Sequence, residues 1–227
     1  MALPWRTDGE LFELVSKELF SAVVGDVMDE IGLVHQFLPP EIRPLDPSWR
    51  LVGRAMPVWV EDLDDDARGG ESPSPFGRML EALDDLRDGE VYVCGGGSPD
   101  YALWGELMTT RAQVLGATGA VLDGYYRDTD GIASLGFPTF GYGSYAQDQR
   151  LRGHVVDFRV PIRIGQVLIE PGDIVIGDRD GVCVAPRRHE SAIFVKALEK
   201  VRAEKVVQRE IEAGMPSQEA FAKYGVM

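Results

Sequence analysis

Two short stretches of this chain hold residues whose types and spacing could do chemistry. The first is Gly105-Glu106-Leu107-Met108, at the opening of a helical pattern. Free backbone N–H groups and the positive end of a helix dipole can hold a carboxylate there. The second is Arg127-Asp128, just past the carboxyl end of the apolar run Ala120-Val121-Leu122-Asp123. That is the edge at which open α/β sheets place their ligands. Arg127 can clamp an anion through two parallel hydrogen bonds, and Asp128 can bind a hard cation. A purely structural reading competes, with Asp128 capping a helix that begins near Thr129 and Arg127 pairing with Asp123.

Other chemistries lack their residues. Cys94 and Cys183 each sit in an apolar, strand-like run with no histidine or basic neighbour, which marks buried hydrophobes rather than nucleophiles. His35, His154 and His189 form no ligand pair of the kind zinc sites use. No lysine lies between residues 18 and 195, so the sheet offers none for a Schiff base. Gly95-Gly96-Gly97 follows a strand but does not continue as a dinucleotide or P-loop fingerprint, and Gly-Tyr-Gly-Ser144 is out of frame for a nucleophile elbow.

The elements that position the two stretches can be read from periodicity. Residues 7–20 are helical behind a Thr7/Asp8 cap signal, and Ser21 opens a second helix reaching Ile31. Residues 33–49 are proline-rich and irregular, and Leu51–Val60 reads as a strand interrupted by Pro57. Glu61–Asp66 and the Gly-, Ser- and Pro-rich residues after it read as a solvated loop, not a calcium site. A helix over 76–86, a strand over 91–94, a helix over 102–116, a strand over 120–123, a short helix ending at Leu135 and a strand over 138–143 then alternate. Residues 154–185 show period-two β structure with turns at Gly165-Gln166, Pro171-Gly172-Asp173 and Asp180-Gly181. A charged helix over about 187–213 and a last one reaching Tyr224 close the chain.

At these residues the sequence resembles the family that contains 4-hydroxy-4-methyl-2-oxoglutarate aldolase and the regulator of ribonuclease E activity A. The resemblance rests on GDVMDEIG, GELMTTRAQVLGATGAVLDGYYRD, PGDIVIGDRDGVCVAP and the closing AFAKYGV. Family aldolases carry an acidic residue, twenty intervening residues and then Arg-Asp; Glu106 and Arg127-Asp128 keep that spacing, with Glu where Asp is usual. The resemblance implies an α/β fold, a single domain over residues 1–227 with a central β/β/α swivelling-type sandwich, helices outside and a long C-terminal helix. It implies a Mg²⁺- or Mn²⁺-dependent lyase that cleaves a C–C bond of a 2-oxo acid, by retro-aldol cleavage or by decarboxylation of oxaloacetate. Asp128 would bind the metal, Glu106 would hold a metal-bound water, Arg127 would grip the substrate, and the N–H groups of Leu107 and Met108 beside Gly105 would receive its carboxylate. Residues 187–227 would pack on a neighbouring subunit of a homotrimer or homohexamer and lend Glu204 to its site. Trp104, Tyr125, Tyr126 and Asp100 are expected to border the pocket. The alternatives are a protein-binding regulator of the ribonuclease-inhibitor type and a sugar-acid dehydratase or isomerase; methyl transfer has no visible cofactor loop.

Composition sets outer bounds. A chain of 227 residues suits one domain, which would bury about 70% of its unfolded surface. With 23 basic against 37 acidic residues, the net charge of -14 repels nucleic acid and anionic membranes. No apolar run spans a bilayer and the amino terminus lacks a basic-then-apolar signal, so a cytoplasmic location is expected.

Overall fold

The computed structural model describes residues 3–64 and 75–225. In chain order its elements are α1 (Asp8–Glu18), α2 (Ser21–Glu30), β1 (Arg43–Pro44), β2 (Leu51–Asp62), α3 (Met79–Asp84), β3 (Glu90–Gly95), β4 (Ala102–Trp104), α4 (Glu106–Val114), β5 (Gly119–Leu122) and β6 (Tyr125–Tyr126). They continue with α5 (Thr129–Leu135), β7 (Thr139–Gly141), β8 (Gly153–Phe158), β9 (Ile162–Ile164), β10 (Val167–Ile169), β11 (Ile174–Asp178), β12 (Gly181–Ala185), α6 (Glu190–Glu212) and α7 (Ser217–Tyr224).

The central sheet runs β1-β7-β5-β3-β2-β11-β12, with β8 pairing along the far half of β2. β2, β3, β5 and β7 are parallel, while β1, β8, β11 and β12 join antiparallel. Alternation along each strand feeds two layers. Val91 and Val93 of β3 pack with Ile162, Ile164, Val167 and Ile169 of the β9–β10 hairpin on one face. Tyr92 and Cys94 face the other way, into the core beneath α3, α4 and α5. At the far end of that face α1, α2 and the first half of α6 cover Val52, Ile174, Ile176 and Cys183. The result is a mixed α/β single domain with hairpin, sheet and helices as its three layers.

Most boundaries agree with the periodicity, and Thr7 caps α1 by accepting from the Glu10 N–H at 3.2 Å. Four expectations change. β2 is not interrupted at Pro57: β11 pairs with residues 51–54 and β8 with residues 58–62, so proline's missing N–H falls in the gap between two partners. Its carbonyl on that side accepts from the Arg159 N–H at 2.8 Å. The helix expected over 76–86 shrinks to Met79–Asp84. Ala102–Trp104, read as helix from its apolar spacing, is a strand because it pairs with β6. In the expected acidic loop, Glu61 and Asp62 belong to β2, and residues 65–74 lie outside the described residues.

The long tail begins with a 3₁₀ turn at Arg187–His189 and then forms α6. Ile193, Phe194, Ala197, Leu198 and Val201 are buried on the chain's own domain, while Val206 and Ile211 further along stay exposed. Both cysteines are fully buried, and burial pushes each thiol well above its ordinary value, which suits core residues and not nucleophiles. No helix among the described residues is long and apolar enough to cross a membrane.

Candidate active site

Two strand-to-helix junctions meet side by side. β4 runs into α4 and β6 runs toward α5, and the two strands pair in parallel, Ala102 with Tyr125 and Trp104 with Tyr126. The Arg127 N–H continues that ladder by donating to the Trp104 carbonyl at 2.9 Å. Pairing so short a ribbon therefore fixes Gly105 against Asp128.

Asp128 occupies the position before α5 in the left-handed region, φ 58 and ψ 41, and makes no cap hydrogen bond to its own helix. A non-glycine residue held there stores strain, which the surroundings must maintain. The expectation that Asp128 caps its own helix is thus overturned. The carboxylate instead crosses to the other junction, where its Oδ2 accepts from the Glu106 N–H at 3.3 Å. Gly105 makes this possible through its missing side chain: a Cβ there would lie 2.6 Å from Asp128 Oδ2. The N–H groups of Leu107 and Met108 precede the first helical bond of α4, made by Thr109 N to the Gly105 carbonyl at 3.0 Å, and so are left to a ligand or water.

Arg127 does not pair with Asp123. Its Nη1 lies 3.3 Å from Asp148 Oδ1 and its Nε 3.8 Å from Asp128 Oδ2, and the side chain is 39% exposed. Asp148 sits on the segment after β7, which follows the edge of the β4–β6 ribbon through the Tyr126–Ser144 and Ala102–Asp148 bridges. Glu106 is exposed and leans over the first turn of α5, where a Cβ on Gly131 would meet its Cδ at 2.4 Å.

A cavity of about 340 Å³ opens beside these groups. Gly105, Arg127, Asp128, Asp148 and Gln149 line its polar side; Phe76, Met79, Leu80, Leu83, Leu107 and Met108 line the other. Of the aromatic residues expected at its border, Trp104 forms part of the wall, but as a 2% exposed core side chain whose Nε1 donates to Thr109 Oγ1 at 2.7 Å. Tyr126, Tyr125 and Asp100 are not among the lining residues. Tyr125 instead packs edge-on against Tyr142 and Tyr145, with ring centroids 5.8 and 5.5 Å away. Asp148 and Gln149 escape sequence reading because the polar segment that carries them has no periodicity; the nearest signal is their place after a strand that ends at a parallel sheet's carboxyl edge.

Glu204 does not join the site within one chain. It lines a separate groove with Phe20, Asp26, Val201, Lys205 and Gln208, and burial raises its carboxyl above the ordinary value. Among the described residues, no three His, Cys, Asp or Glu side chains converge to enclose a cation. The donors at the junction fit a cation that keeps most of its water: Asp128 is exposed, and only its Oδ2 is engaged among the described residues.

Asp123 has its own partner, since Tyr142 O–H donates to its Oδ1 at 2.6 Å. Burial raises the Asp123 carboxyl above the ordinary 3.8, and the tyrosine hydrogen bond offsets this only in part. Ionising it costs more in the folded chain than in the unfolded one, so stability falls as pH rises from 3.8 through the raised folded value. Asp123→Asn keeps the acceptor for Tyr142 and should remove that fall, which urea unfolding of both proteins across acidic and neutral pH would measure.

The RraA-like model of the Aldolase/RraA family matches residues 21–184. The chain belongs to the RraA-like family. A relative from Halalkalibacterium halodurans, provisionally named 4-hydroxy-4-methyl-2-oxoglutarate aldolase, is 31% identical over 87% of each chain. Among solved structures, Streptomyces coelicolor RraAS2, described as an unusual member of the RNase ES inhibitor RraA protein family, superposes with a TM-score of 0.79 at 25% identity, covering 90% of this chain and 100% of that one. An uncharacterized protein from Pseudomonas syringae pv. tomato gives a TM-score of 0.80 at 25% identity, covering 95% and 98%. The RraA-like family thus spans proteins named as aldolases and as ribonuclease inhibitors.

Proposed function

We propose that this RraA-like protein is a lyase that cleaves a C–C bond of a 2-oxo acid and releases pyruvate. The observation that carries the reading is that Arg127, Asp128 and the opening residues of α4 border one cavity, with Asp128 held to the start of α4 by the Glu106 N–H. Arg127 and the opening of α4 are the positive end of a corner that also holds Asp128 and Asp148, so a bound cation would offset those carboxylates and let the corner receive an anion. The N–H groups of Leu107 and Met108 receive the substrate carboxylate, and Arg127 donates to the oxygen on which charge develops as the bond breaks. Asp128, with Glu106 through water, would hold Mg²⁺ or Mn²⁺, and such a cation supplies Lewis acidity toward the 2-oxo group when bound. In the retro-aldol case the C3–C4 bond breaks, its electron pair stays on C3, and the C4 hydroxyl becomes the carbonyl of the departing aldehyde. The hydroxyl proton passes to a carboxylate of the cavity wall or to water, and C3 is protonated to give pyruvate. Decarboxylation of oxaloacetate leaves the same three-carbon enolate.

We infer that the assembly is a homotrimer or homohexamer in which the neighbour's tail supplies Glu204. Exposed Leu80, Leu107 and Val114 on α3 and α4 and exposed Val206 and Ile211 on α6 support contact between copies. A protein-binding regulator is the second reading, favoured by the same exposed apolar side chains and by the description of the Streptomyces relative.

The test is a 2-oxo-acid panel with Mg²⁺, followed through pyruvate by a coupled assay, alongside Mn²⁺ titration read by electron paramagnetic resonance. Wild type should release pyruvate and bind Mn²⁺, and Asp128→Asn should lose at least about tenfold in both. Absence of pyruvate from every substrate would favour the regulator, or a sugar-acid dehydratase or isomerase on the same scaffold.

A further inference from the structure

We propose that Gln149 binds the half of the substrate that leaves, and that this half is an alkyl body carrying an uncharged oxygen rather than a second carboxylate. The inference rests on the lyase reading above and specifies its substrate class. Gln149 is 4% exposed, lines the same cavity as Arg127, and its Nε2 has no hydrogen-bond partner among the described residues. A buried amide donor gives up its water without replacement, and such a group is uncommon unless a ligand supplies the acceptor.

The rest of the wall restricts what that ligand can be. Among the described residues Arg127 is the one cation that lines the cavity, and Asp148 and Asp128 already face it. Once the pyruvoyl end occupies Arg127, a second carboxylate would meet two acidic side chains and no further positive side chain among the described lining residues. Phe76, Met79, Leu80 and Leu83 present hydrocarbon to the same space. A 4-hydroxy-2-oxo acid ending in a short alkyl group satisfies both walls, its C4 oxygen accepting from Gln149 Nε2. An amide nitrogen that donates cannot also take the hydroxyl proton, so Gln149 is a binding residue and not the base.

The experiment compares two 4-hydroxy-2-oxo acids of equal length, one ending in alkyl and one in carboxylate, in wild type and Gln149→Leu, with pyruvate measured as a product inhibitor. Wild type should favour the alkyl substrate in kcat/KM by about tenfold or more. Gln149→Leu should lower kcat/KM for it by about tenfold while the inhibition constant of pyruvate, which lacks the leaving half, stays within about twofold. Equal or better turnover of the carboxylate substrate by wild type overturns the proposal, and this comparison stands even if the variant fails to fold. Unchanged turnover in Gln149→Leu, or equal losses in turnover and pyruvate binding, also overturns it. Pyruvate binding without cleavage of either substrate overturns the proposal alone. Failure of wild type both to bind pyruvate and to cleave either substrate would take the lyase reading down with it.

Discussion

Arg127→Ala should lower kcat/KM for pyruvate release by about a thousandfold, the scale of losing a preorganised donor to developing negative charge. Stability should change by less than about 1 kcal/mol, because the pairs that Arg127 makes with Asp148 and Asp128 are partly exposed and such pairs contribute little. Arg127→Lys should recover only part of the rate, since an ammonium cannot present the planar fork of a guanidinium. Parallel steady-state kinetics and urea unfolding separate the two effects. A variant that unfolds easily yet keeps its rate would make Arg127 a structural residue.

Trp104→Ala should have the largest effect on stability. The indole is 2% exposed, stacks at 6.1 Å on Phe137 and 4.8 Å from Tyr92, and donates to Thr109 inside α4. Truncation leaves a cavity beneath the β4–α4 junction and removes the donor to a Thr109 hydroxyl that still donates to the Gly105 carbonyl at 3.0 Å, at a cost of about 3–5 kcal/mol. For a domain of this size that lowers the unfolding midpoint by roughly 10 °C. Calorimetry checks it, and a loss below about 1 kcal/mol would mean that Trp104 is a replaceable wall of the cavity rather than the support of Gly105 and Asp128.

The second junction can be read from the sequence because it is local, an apolar run, a turn and a helical start within a few residues of Arg127, whereas at Gly105 only the opening turns of a helix can be read. What brings them together is not local. The three-residue strand β4 exists only through its pairing with β6, so its apolar spacing passes for helix until the tertiary partner is known. The same pairing turns Asp128 away from its own helix and toward the Glu106 N–H, an outcome that cap preferences argue against. Asp148 and Gln149 reach the cavity from a segment whose position is set by bridges to Ala102 and Tyr126, and nothing in a run of polar residues marks such a contact. Glu204 illustrates the complementary limit: its helix is plain in the sequence, yet within one chain the residue faces a groove with Asp26 and Phe20.

The most direct test of the central claim asks whether this corner stabilises negative charge on the three-carbon half of the substrate. Pyruvate is incubated in D₂O with Mg²⁺ and the protein, and the methyl protons are followed by nuclear magnetic resonance. Wild type should exchange them well above the buffer rate and Arg127→Ala should fall to near that rate. Exchange no faster with wild type than with buffer, in protein shown to be folded, would contradict the account.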